Sequence, residues 1–413
     1  MIFDYGMRIL KCQDIDKEDW NELVKTSATG TWFQTPEAFD FFNEQKELFK
    51  PFVIAIEKSK SRVESQESRE LRGVCVGYVT VEKNSIKQFF TRRAIILGGP
   101  VLADDATDAE VIALLLAVKT KTRNLQSSDN DLHSIDPQST RKQVSGQTTA
   151  QSCAAGTESL QDSSQKHATL TKNNKNIFNF NDPIYIETRN FNDYSRWKGA
   201  FEAAGFEYKK HLNFHVDCSV KEAIWERLSD NRKRQIRKAT ESVQCEPAAS
   251  ESDIREWYGI LSTLYRTKVK TPLWPMAFFL EAYRRRIGEF LMVKHEGKII
   301  GGSMIVRNEG VKELKSEGVN GGAVYEWFEC GMNKAYKEQY PSVMATYAGM
   351  EYAAAHGIPR YDMMGAGEPG VPYGVRDFKA EFGGEQVEHG RFLHICKPWL
   401  YRLGVFVVRI MKK

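Results

Sequence analysis

The residues best suited to chemistry in this 413-residue chain lie in one glycine-rich stretch, from Tyr361 to Arg391. Glycines let a backbone adopt positive φ angles or approach a ligand closely. Between its glycines the stretch keeps aromatic and charged side chains, namely Tyr373, Arg376, Phe378 and Lys379. Because binding residues concentrate on loops held by a rigid scaffold, the stretch is predicted to be a functional loop in which Tyr373 and Arg376 contact the substrate.

The other side chains of this stretch predict distinct chemical roles. Lys379 offers a fixed positive charge for negative charge that develops in a transition state. Asp362 or Glu368 offers a general base for an amine, although capping or a salt bridge is the more common role of a lone carboxylate. Tyr373 and Phe378 are expected to form an apolar wall.

A second candidate site is a strongly basic helical segment, Asn231–Ala239. Five of its residues are cations, namely Arg232, Lys233, Arg234, Arg237 and Lys238. At 100° per residue these cations cover most of the exposed circumference and leave Ile236 for the core. The cluster predicts an anion site, with phosphate as the usual partner of arginine. A solvated surface face explains the same pattern equally well.

A third candidate is the aromatic turn around Trp274, which follows Arg266, Lys268 and Lys270. These residue types suit a lid in which Trp274 contacts the substrate. A rigid connection between two helices fits them equally well.

Several enzyme classes lack their signatures here. No HExxH, GxSxG or GxxxxGK[ST] pattern occurs, which argues against zinc proteases, serine hydrolases and P-loop enzymes. His211 and His215 lie four residues apart on a predicted strand, where a rise of about 3.3 Å per residue separates them too far to share one metal ion. We therefore expect neither a metal site nor a bound cofactor.

Composition restricts the remaining classes. Seven scattered cysteines form no CxxC pair, which is typical of a reduced, cytoplasmic protein. The net charge of +4 is too small to argue for nucleic acid by itself, so a basic site has to be local. No window is apolar over about 18 residues, and the start has no features of a secretion signal. The basic, apolar tail at 398–413 suits either contact with the inner face of a membrane, through 399–413, or packing on its own domain.

The order of predicted elements repeats once along the chain. Each half has helices, a hairpin whose second strand contains glycine, a further strand, helices that end at glycine and a late strand. Mixed strands with packed helices predict an α/β (α+β) fold with two similar domains, at 1–217 and 218–397. A polar segment at 124–176 shows no periodicity and predicts a disordered insertion in the first domain.

Periodicity also sets the expected bounds of single elements. It predicts one strand over Phe206–Asp217 and one helix over Val220–Glu241. It further predicts a strand over Val311–Val319 and a helix over Tyr325–Tyr340, with the glycine-rich Gly318–Gly322 ahead of that helix.

The repeated order resembles two GNAT-type acetyltransferase modules in tandem. Specific residues resemble the Fem-type branch, the aminoacyltransferases that extend peptidoglycan precursors and their relatives. The matching segments are Trp32–Pro36, Arg234–Ala239, Glu296–Gly302 and Tyr373–Gly384. The resemblance covers nearly the whole chain outside 124–176, and the last segment is its most specific part, whereas the hairpin at 296–302 is generic to the superfamily.

The resemblance implies that an acyl group passes from a carrier to an amine. Established members take an aminoacyl group from a charged tRNA and deliver it to a lipid- or nucleotide-linked muramyl peptide. Phe378 and Lys379 match the family's pair near the reaction centre, and the basic helix matches an anion site for substrate diphosphate or the donor's backbone. The aromatic and acidic segment Glu37–Phe42 stands where the family has a phosphate-binding lysine, which favours a different acceptor.

The sequence therefore predicts a Fem-like acyltransferase that adds an aminoacyl or other acyl group to an amine, on a peptidoglycan or other cell-envelope precursor. The amine attacks directly, without a covalent enzyme intermediate, and aminoacyl-tRNA is the co-substrate. Two alternatives stay open. One is an N-acyltransferase that uses acyl-CoA or a carrier protein and acts on a sugar nucleotide or polysaccharide precursor, although the chain has no [RQ]xxGx[GA] loop for the pyrophosphate of acetyl-CoA. The other is an RNA-binding protein that uses the basic helix.

Overall fold

The computed structural model describes residues 7–63, 66–82, 85–123, 125, 182–308 and 322–411. One compact unit consists of Met1–Thr122 and Pro183–Lys413, and a second unit covers Arg123–Asp182. The predicted insertion at 124–176, apart from residue 125, and the predicted strand at Val311–Val319 lie outside the described residues.

Strands in the described part of the chain form two mixed sheets. In chain order they are β1 (Met7–Leu10), β2 (Phe49–Val63), β3 (Gln66–Thr80), β4 (Ala94–Gly98), β5 (Val101–Leu102), β6 (Tyr185–Asn190), β7 (Glu207–Lys209), β8 (Asn213–Asp217), β9 (Val243–Pro247), β10 (Glu289–His295), β11 (Lys298–Asn308), β12 (Ala323–Gly331), β13 (Arg360–Gly365), β14 (Glu385–Val387) and β15 (Arg391–Ile395). The first sheet has the order β1-β2-β3-β4-β6-β15-β7, with β5 paired to β3, and the second has the order β14-β8-β13-β12-β11-β10-β9. Neighbours are antiparallel except β4 with β6 and β12 with β13. The predicted α/β class with mixed, mostly antiparallel sheets is confirmed.

Helices flank both sheets. Within the described residues they are α1 (Lys17–Thr26), α2 (Pro36–Glu44), α3 (Ser85–Thr91), α4 (Asp108–Arg123), α5 (Lys198–Ala203), α6 (Lys221–Arg227), α7 (Asp230–Thr240), α8 (Glu251–Leu264), α9 (Met276–Arg284), α10 (Pro341–Ala355), α11 (Gly374–Ala380) and α12 (Pro398–Met411). Helix α2 begins at Pro36, and the side chain of Thr35 caps it by accepting from the amide of Ala38 at 3.1 Å. Helix α10 connects β12 to β13. Among the described residues, no helix is both long enough and apolar enough to cross a membrane.

Two strands belong to a different sheet from the one that their place in the sequence suggests. Strand β8, at the end of the predicted first domain, pairs with β13 and β14 in the second sheet. Strand β15, from the predicted second domain, pairs with β6 and β7 in the first sheet. Alternation of apolar residues identifies a strand but not its neighbour, so sheet membership does not follow the predicted division at residue 217.

The predicted helix at Tyr325–Tyr340 is wrong, because β12 occupies its first half. Met304 pairs with Phe328 and Ile305 with residue 326, so Trp327 is an extra residue in a β-bulge. The bulge lets Trp327 and Phe328 both pack on the same aromatic cluster. This break in alternation imitates the spacing of apolar residues on a helix.

The structure divides two other predicted elements and contains a helix where a loop was expected. The strand predicted at Phe206–Asp217 is two strands, β7 and β8, and the helix predicted at Val220–Glu241 is two helices, α6 and α7. Ser229 separates the helices, because its hydroxyl caps α7 by accepting from the amide of Arg232 at 3.2 Å. The glycine-rich stretch, expected to be a loop, contains α11.

A buried aromatic cluster joins the two halves of the compact unit. The ring centroids of Phe33 and Tyr325 lie 5.7 Å apart, and those of Phe41 and Phe278 lie 5.1 Å apart. Because each pair brings one residue from before β2 and one from after α8, the two sheets share one core. A second apolar cluster packs α10 against the second sheet.

Candidate active site

The parallel strands β12 and β13 meet at one end and separate at the other. Their paired residues are Val324 with Tyr361 and Tyr325 with Asp362, and these two fully described strands have no further pair before β13 ends. Backbone carbonyls beyond the last pair need other partners, because a buried carbonyl without a hydrogen bond costs free energy. We call this opening, with Met363–Gly365 along one side, the β12–β13 gap.

The ammonium group of Lys379 binds the β13 side of the β12–β13 gap. Lys379 lies near the end of α11 and is 8% exposed. Its Nζ donates to three carbonyl oxygens, those of Met363, of Met364 at 3.4 Å and of Gly365 at 2.9 Å. An ammonium group has three N–H donors, so these contacts engage all of them.

A bend in β13 turns these carbonyls toward Lys379. Met364 has a φ of +58°, a left-handed conformation that is strained for a residue with a side chain. Asp362 holds the bend, since its Oδ1 accepts from the Met364 amide at 2.6 Å and its Oδ2 lies 3.2 Å from His215 Nε2. Burial by itself would raise the pKa of Asp362, but the charge and hydrogen bond of His215 keep that pKa below its usual value. This geometry favours a positioning role for Asp362 over that of a general base.

Two glutamates of β12, Glu326 and Glu329, point toward α10 beside the gap. Glu326 accepts from Thr346 Oγ1 at 2.7 Å and from the Tyr361 hydroxyl at 2.9 Å. Glu329 interacts with Ser342, and its buried Oε1 has no hydrogen-bond partner among the described residues. Sequence reasoning missed both carboxyls because it assigned their segment to a helix. The signal was the i, i+3 spacing, which a bulged strand can also bring to one face.

The charges around the gap shift one another's protonation. Burial lowers the pKa of the Lys379 ammonium, and nearby carboxyls, above all Glu326, oppose that shift. Burial raises the pKa of Glu326. Burial also raises the pKa of Glu329 to about 8, and the Glu326 carboxyl adds to this rise. Because an efficient proton acceptor has a pKa near the working pH, Glu329 is the carboxyl best suited to take a proton from an amine.

Arg232 fixes α11 against α7. Its guanidinium carbon lies 4.4 Å from the ring centroid of Phe378 and 4.9 Å from that of Phe382, and it donates to the Phe378 carbonyl at 3.1 Å. Gly383 follows with a φ of +73°, and a Cβ there would lie 2.2 Å from the carbonyl oxygen of Arg227. Packing therefore explains the Tyr373–Gly384 motif, because these contacts hold α11, the helix that carries the ammonium group of Lys379. Arg232, predicted to bind substrate, is buried in this contact.

The loop between β13 and α11 is held from within by Arg376. Its Nε donates to the Ala366 carbonyl at 3.0 Å and its Nη1 to the Val371 carbonyl at 3.1 Å, while Nη2 donates to the Glu368 carbonyl. The side chains of Glu368 and Tyr373 are exposed, and Glu368 lines a cavity of about 270 Å³. Of these three predicted site residues, Glu368 and Tyr373 face solvent and Arg376 shapes the loop.

The other predicted cations lie on the exposed side of α7. Arg234 and Arg237 are exposed, with the guanidinium carbon of Arg237 at 5.1 Å from the Trp225 ring centroid. Lys238 forms an ion pair with Glu338. These residues form a basic surface, whereas Arg232 on the same helix contacts α11.

Trp274 is part of the aromatic cluster. Its ring centroid lies 4.3 Å from that of Phe278, 5.5 Å from that of Trp327 and 5.6 Å from that of Phe328. Packing against these three rings favours the rigid connection over the lid for this turn.

The two histidines considered from the sequence have different partners. His215 pairs with Asp362, and His211 Nε2 lies 2.9 Å from Arg391 Nη2. Burial, together with the charge of Arg391, lowers the pKa of His211 to about 3. Among the described residues, no group of three or more His, Cys, Asp or Glu side chains is arranged to hold a metal ion.

The amide of Ser342, at the start of α10, has its hydrogen-bond partner within the protein. Pro341 has no N–H, and the amide of Ser342 donates to Asn333 Oδ1 at 3.1 Å while Asn333 Nδ2 donates to Ser342 Oγ at 2.7 Å. The segment ahead of α10 is 332–340, which contains no glycine. The expectation that Gly318–Gly322 precedes a helix is wrong, because β12 follows it. A diphosphate at this helix start would have to compete with Asn333.

The model of the FemAB family matches residues 319–408, which include β12, α10, β13 and α11. This match confirms the predicted Fem-type resemblance.

Solved structures give the same result for the fold. The chain is similar to the crystal structure of FemX, with 12% identity, a TM-score of 0.57 and coverage of 96% of this chain and 99% of that one. It is also matched to a DUF2156 domain from Agrobacterium fabrum (11% identity, 94% of each chain, TM-score 0.46) and to L-PGS from Bacillus licheniformis (11% identity, 96% of each chain, TM-score 0.44). Of these three likenesses, the one to FemX is close enough to support the fold. No curated protein sequence matches the chain.

Proposed function

We propose that this protein transfers an aminoacyl group from a carrier to an amine. The observation that carries the proposal is the buried Lys379 ammonium in the β12–β13 gap, beside two glutamates of raised pKa. A buried charge is costly unless it is compensated, and such charges concentrate where a reaction needs them. The match of residues 319–408 to the FemAB family supports this reaction class.

The reaction proceeds by direct attack of the amine on the acyl carbonyl carbon. A C–N bond forms, the carbonyl electron pair moves to oxygen, and the ester bond to the carrier then breaks. Lys379 stabilises the negative charge on that oxygen. Its 3.4 Å contact with the Met364 carbonyl is the longest of its three, so a substrate oxygen exchanges with that contact most readily. Glu329 accepts the proton that the amine loses and returns it to the departing carrier oxygen.

We propose aminoacyl-tRNA as the donor and an amine on a peptidoglycan or other cell-envelope precursor as the acceptor. The exposed Arg234 and Arg237 on α7 supply positive charge for a nucleic-acid backbone. The internal capping of α10 by Asn333 disfavours the acyl-CoA alternative, because the pyrophosphate of a CoA donor needs free amides at a helix start.

Mass spectrometry of cell-envelope precursors, incubated with charged tRNA and the purified protein, tests this function. We expect one added acyl mass with the wild type and with a matched control, Lys221→Ala, whose lysine side chain is 64% exposed. Lys379→Ala should reduce the rate about 10²- to 10³-fold.

Equal precursor masses with and without the protein would contradict the proposal. Strong thermal stabilisation by an acyl-CoA would instead favour the N-acyltransferase alternative. Equal affinity for charged and uncharged tRNA, steep salt dependence and no turnover would favour the RNA-binding alternative.

A further inference from the structure

The last helix, α12, carries an apolar face that the rest of the protein leaves exposed. Trp399, Leu403, Phe406 and Ile410 follow the spacing i, i+4, i+7, i+11 and are 49%, 42%, 61% and 58% exposed. At 100° per residue, these four positions fall within about 60° of the helix circumference. We call them the outer face of α12. Scattered apolar residues on a surface are ordinary, but four in one stripe indicate an interaction site.

A different side of α12 attaches the helix to the protein. Leu400 is 2% exposed, and the Tyr401 ring centroid lies 5.7 Å from that of Tyr185 on β6. Phe90, which is exposed next to Phe89, enlarges the apolar surface, because the Phe89 ring lies 6.1 Å from Trp399. The outer face is therefore held in place and does not serve the core.

The charge pattern of this segment indicates what covers the outer face. Residues 397–413 contain five cations, Lys397, Arg402, Arg409, Lys412 and Lys413, and no Asp or Glu. Arg402 is exposed, and the i, i+7 spacing puts position 409 on the same flank of the helix. Two copies of this face would bring ten cations together, so a second copy of the chain is a poor partner. An anionic surface complements both the apolar stripe and the charge.

The length of α12 decides how it meets such a surface. Its 14 residues extend about 21 Å, which is shorter than the roughly 30 Å hydrocarbon core of a bilayer. An apolar stripe flanked by cations instead suits a helix that lies in the plane of the membrane interface.

We propose that the outer face of α12 docks the protein on an anionic membrane surface. Trp399, Leu403, Phe406 and Ile410 enter the headgroup and acyl boundary, and Arg402 contacts lipid phosphates. This docking is independent of the acyl-transfer reaction proposed above.

Co-sedimentation of the full-length protein with vesicles tests the docking. We expect the wild type to bind vesicles of phosphatidylcholine mixed with phosphatidylglycerol and to bind vesicles of phosphatidylcholine alone much less. The double variant Phe406→Asn, Ile410→Asn should bind the mixed vesicles roughly tenfold or more weakly, because two large apolar side chains no longer leave water. Arg402→Glu should remove much of the preference for anionic lipid, and added salt should do the same.

Val405→Asn is the matched control, because Val405 is also exposed on α12 but lies about 130° from the middle of the outer face. It should bind the mixed vesicles like the wild type. Equal binding by the control and the double variant would overturn the proposal, and so would wild-type binding that does not depend on phosphatidylglycerol. Analytical ultracentrifugation that shows a wild-type dimer and a monomeric double variant would overturn it in favour of a second copy. Circular dichroism melts establish that each variant is folded.

Discussion

Both sheets contain a place where neighbouring strands part, and at each place a single side chain binds backbone groups that the strands leave unpaired. In the first sheet Gln34 bridges β3 and β4, since its Nε2 donates to the Val76 and Leu97 carbonyls at 2.8 Å and its Oε1 accepts from the Val76 amide at 2.7 Å. In the second sheet Lys379 donates to three carbonyls of β13. The first side chain is a neutral amide with donors and an acceptor, and the second is a cation with donors only.

This difference in charge indicates that Gln34 has a structural role and that Lys379 has a chemical one. A neutral amide satisfies backbone groups without introducing charge, whereas a buried ammonium requires compensating carboxyls. The adjoining parallel pairs differ in the same sense, because β4 and β6 pair at five positions and β12 and β13 at two. The parallel pair of the first sheet therefore continues along its strands, whereas that of the second sheet ends at the β12–β13 gap.

Changing Lys379 should have the largest effect and tests the comparison directly. Lys379→Gln places a neutral amide in the second sheet, as Gln34 does in the first sheet. This amide can still donate to carbonyls but carries no charge. We expect a transfer rate about 10²- to 10³-fold lower, because the charge that stabilises the oxyanion is gone. Lys379→Ala should lose as much rate and also about 3 kcal/mol of unfolding free energy, because buried carbonyls and carboxyls lose their partner.

Single-turnover rates and urea unfolding of both variants supply these measurements. If Lys379→Gln kept the wild-type rate, the ammonium charge would have no part in the reaction, and the two positions would be equivalent structural contacts.

Changing Gln34 should affect stability alone. Gln34→Ala removes three hydrogen bonds to Val76 and Leu97 and leaves buried backbone groups unpaired. We expect the unfolding free energy to fall by about 2–3 kcal/mol. The transfer rate, measured well below the melting temperature, should equal that of the wild type. A rate loss comparable to that of Lys379→Gln would remove the distinction between the two sheets.

The comparison also explains what the sequence could predict. Phe378 and Lys379 were found because a glycine-rich motif with a single lysine is a local pattern. Gln34 lies in the matching segment Trp32–Pro36, but nothing local shows that its amide reaches Val76 and Leu97, 42 and 63 residues away in sequence. The fold class was predictable because the order of elements repeats. The exchange of β8 and β15 between sheets was not, because strand pairing depends on distant partners.

Roles were harder to predict than positions. Arg232 and Arg376 look like substrate ligands in the sequence, yet one stacks on aromatic rings and the other holds backbone carbonyls. A sequence shows that a cation is present but not whether it faces solvent or its own protein. Glu326 and Glu329 were missed for a different reason. One extra residue in β12 breaks the alternation of apolar residues, so the sequence predicts a helix where the structure has a strand.

Glu329 should make the stability of the protein depend on pH, with an effect smaller than those above. Burial raises its pKa from about 4.5 in the unfolded chain to about 8, so folding takes up a proton between these values. The unfolding free energy should therefore fall as pH rises through this window and level off above about pH 8. Glu329→Gln should flatten the slope, by on the order of 1 kcal/mol per pH unit.

Urea unfolding of the wild type, Glu329→Gln and Gln34→Ala across the pH window gives the comparison. Gln34→Ala should be less stable but keep the wild-type slope of unfolding free energy against pH, because the side chain of Gln34 carries no charge. Parallel curves for the wild type and Glu329→Gln would show that the Glu329 carboxyl is ionised at neutral pH, and Glu329 would then not suit the proton transfer.

The smallest expected effect concerns the helix starts next to the two parallel pairs. In the first half, the Thr107 hydroxyl accepts from the Glu110 amide at 3.4 Å and the Glu110 carboxylate accepts from the Thr107 amide at 2.7 Å, which caps α4. In the second half, Asn333 caps α10 from outside the helix. Thr107→Ala and Asn333→Ala should each cost about 1 kcal/mol of unfolding free energy.

Added pyrophosphate should separate the two helix starts. In Asn333→Ala the Ser342 amide is released at the start of a helix, where the N–H groups and the dipole favour an anion. Pyrophosphate should therefore raise the melting temperature of Asn333→Ala and leave those of the wild type and Thr107→Ala unchanged. If pyrophosphate raised the wild-type value equally, Asn333 would not block the helix start. The structural argument against a CoA donor would then fail, while the argument from Lys379 would be unaffected.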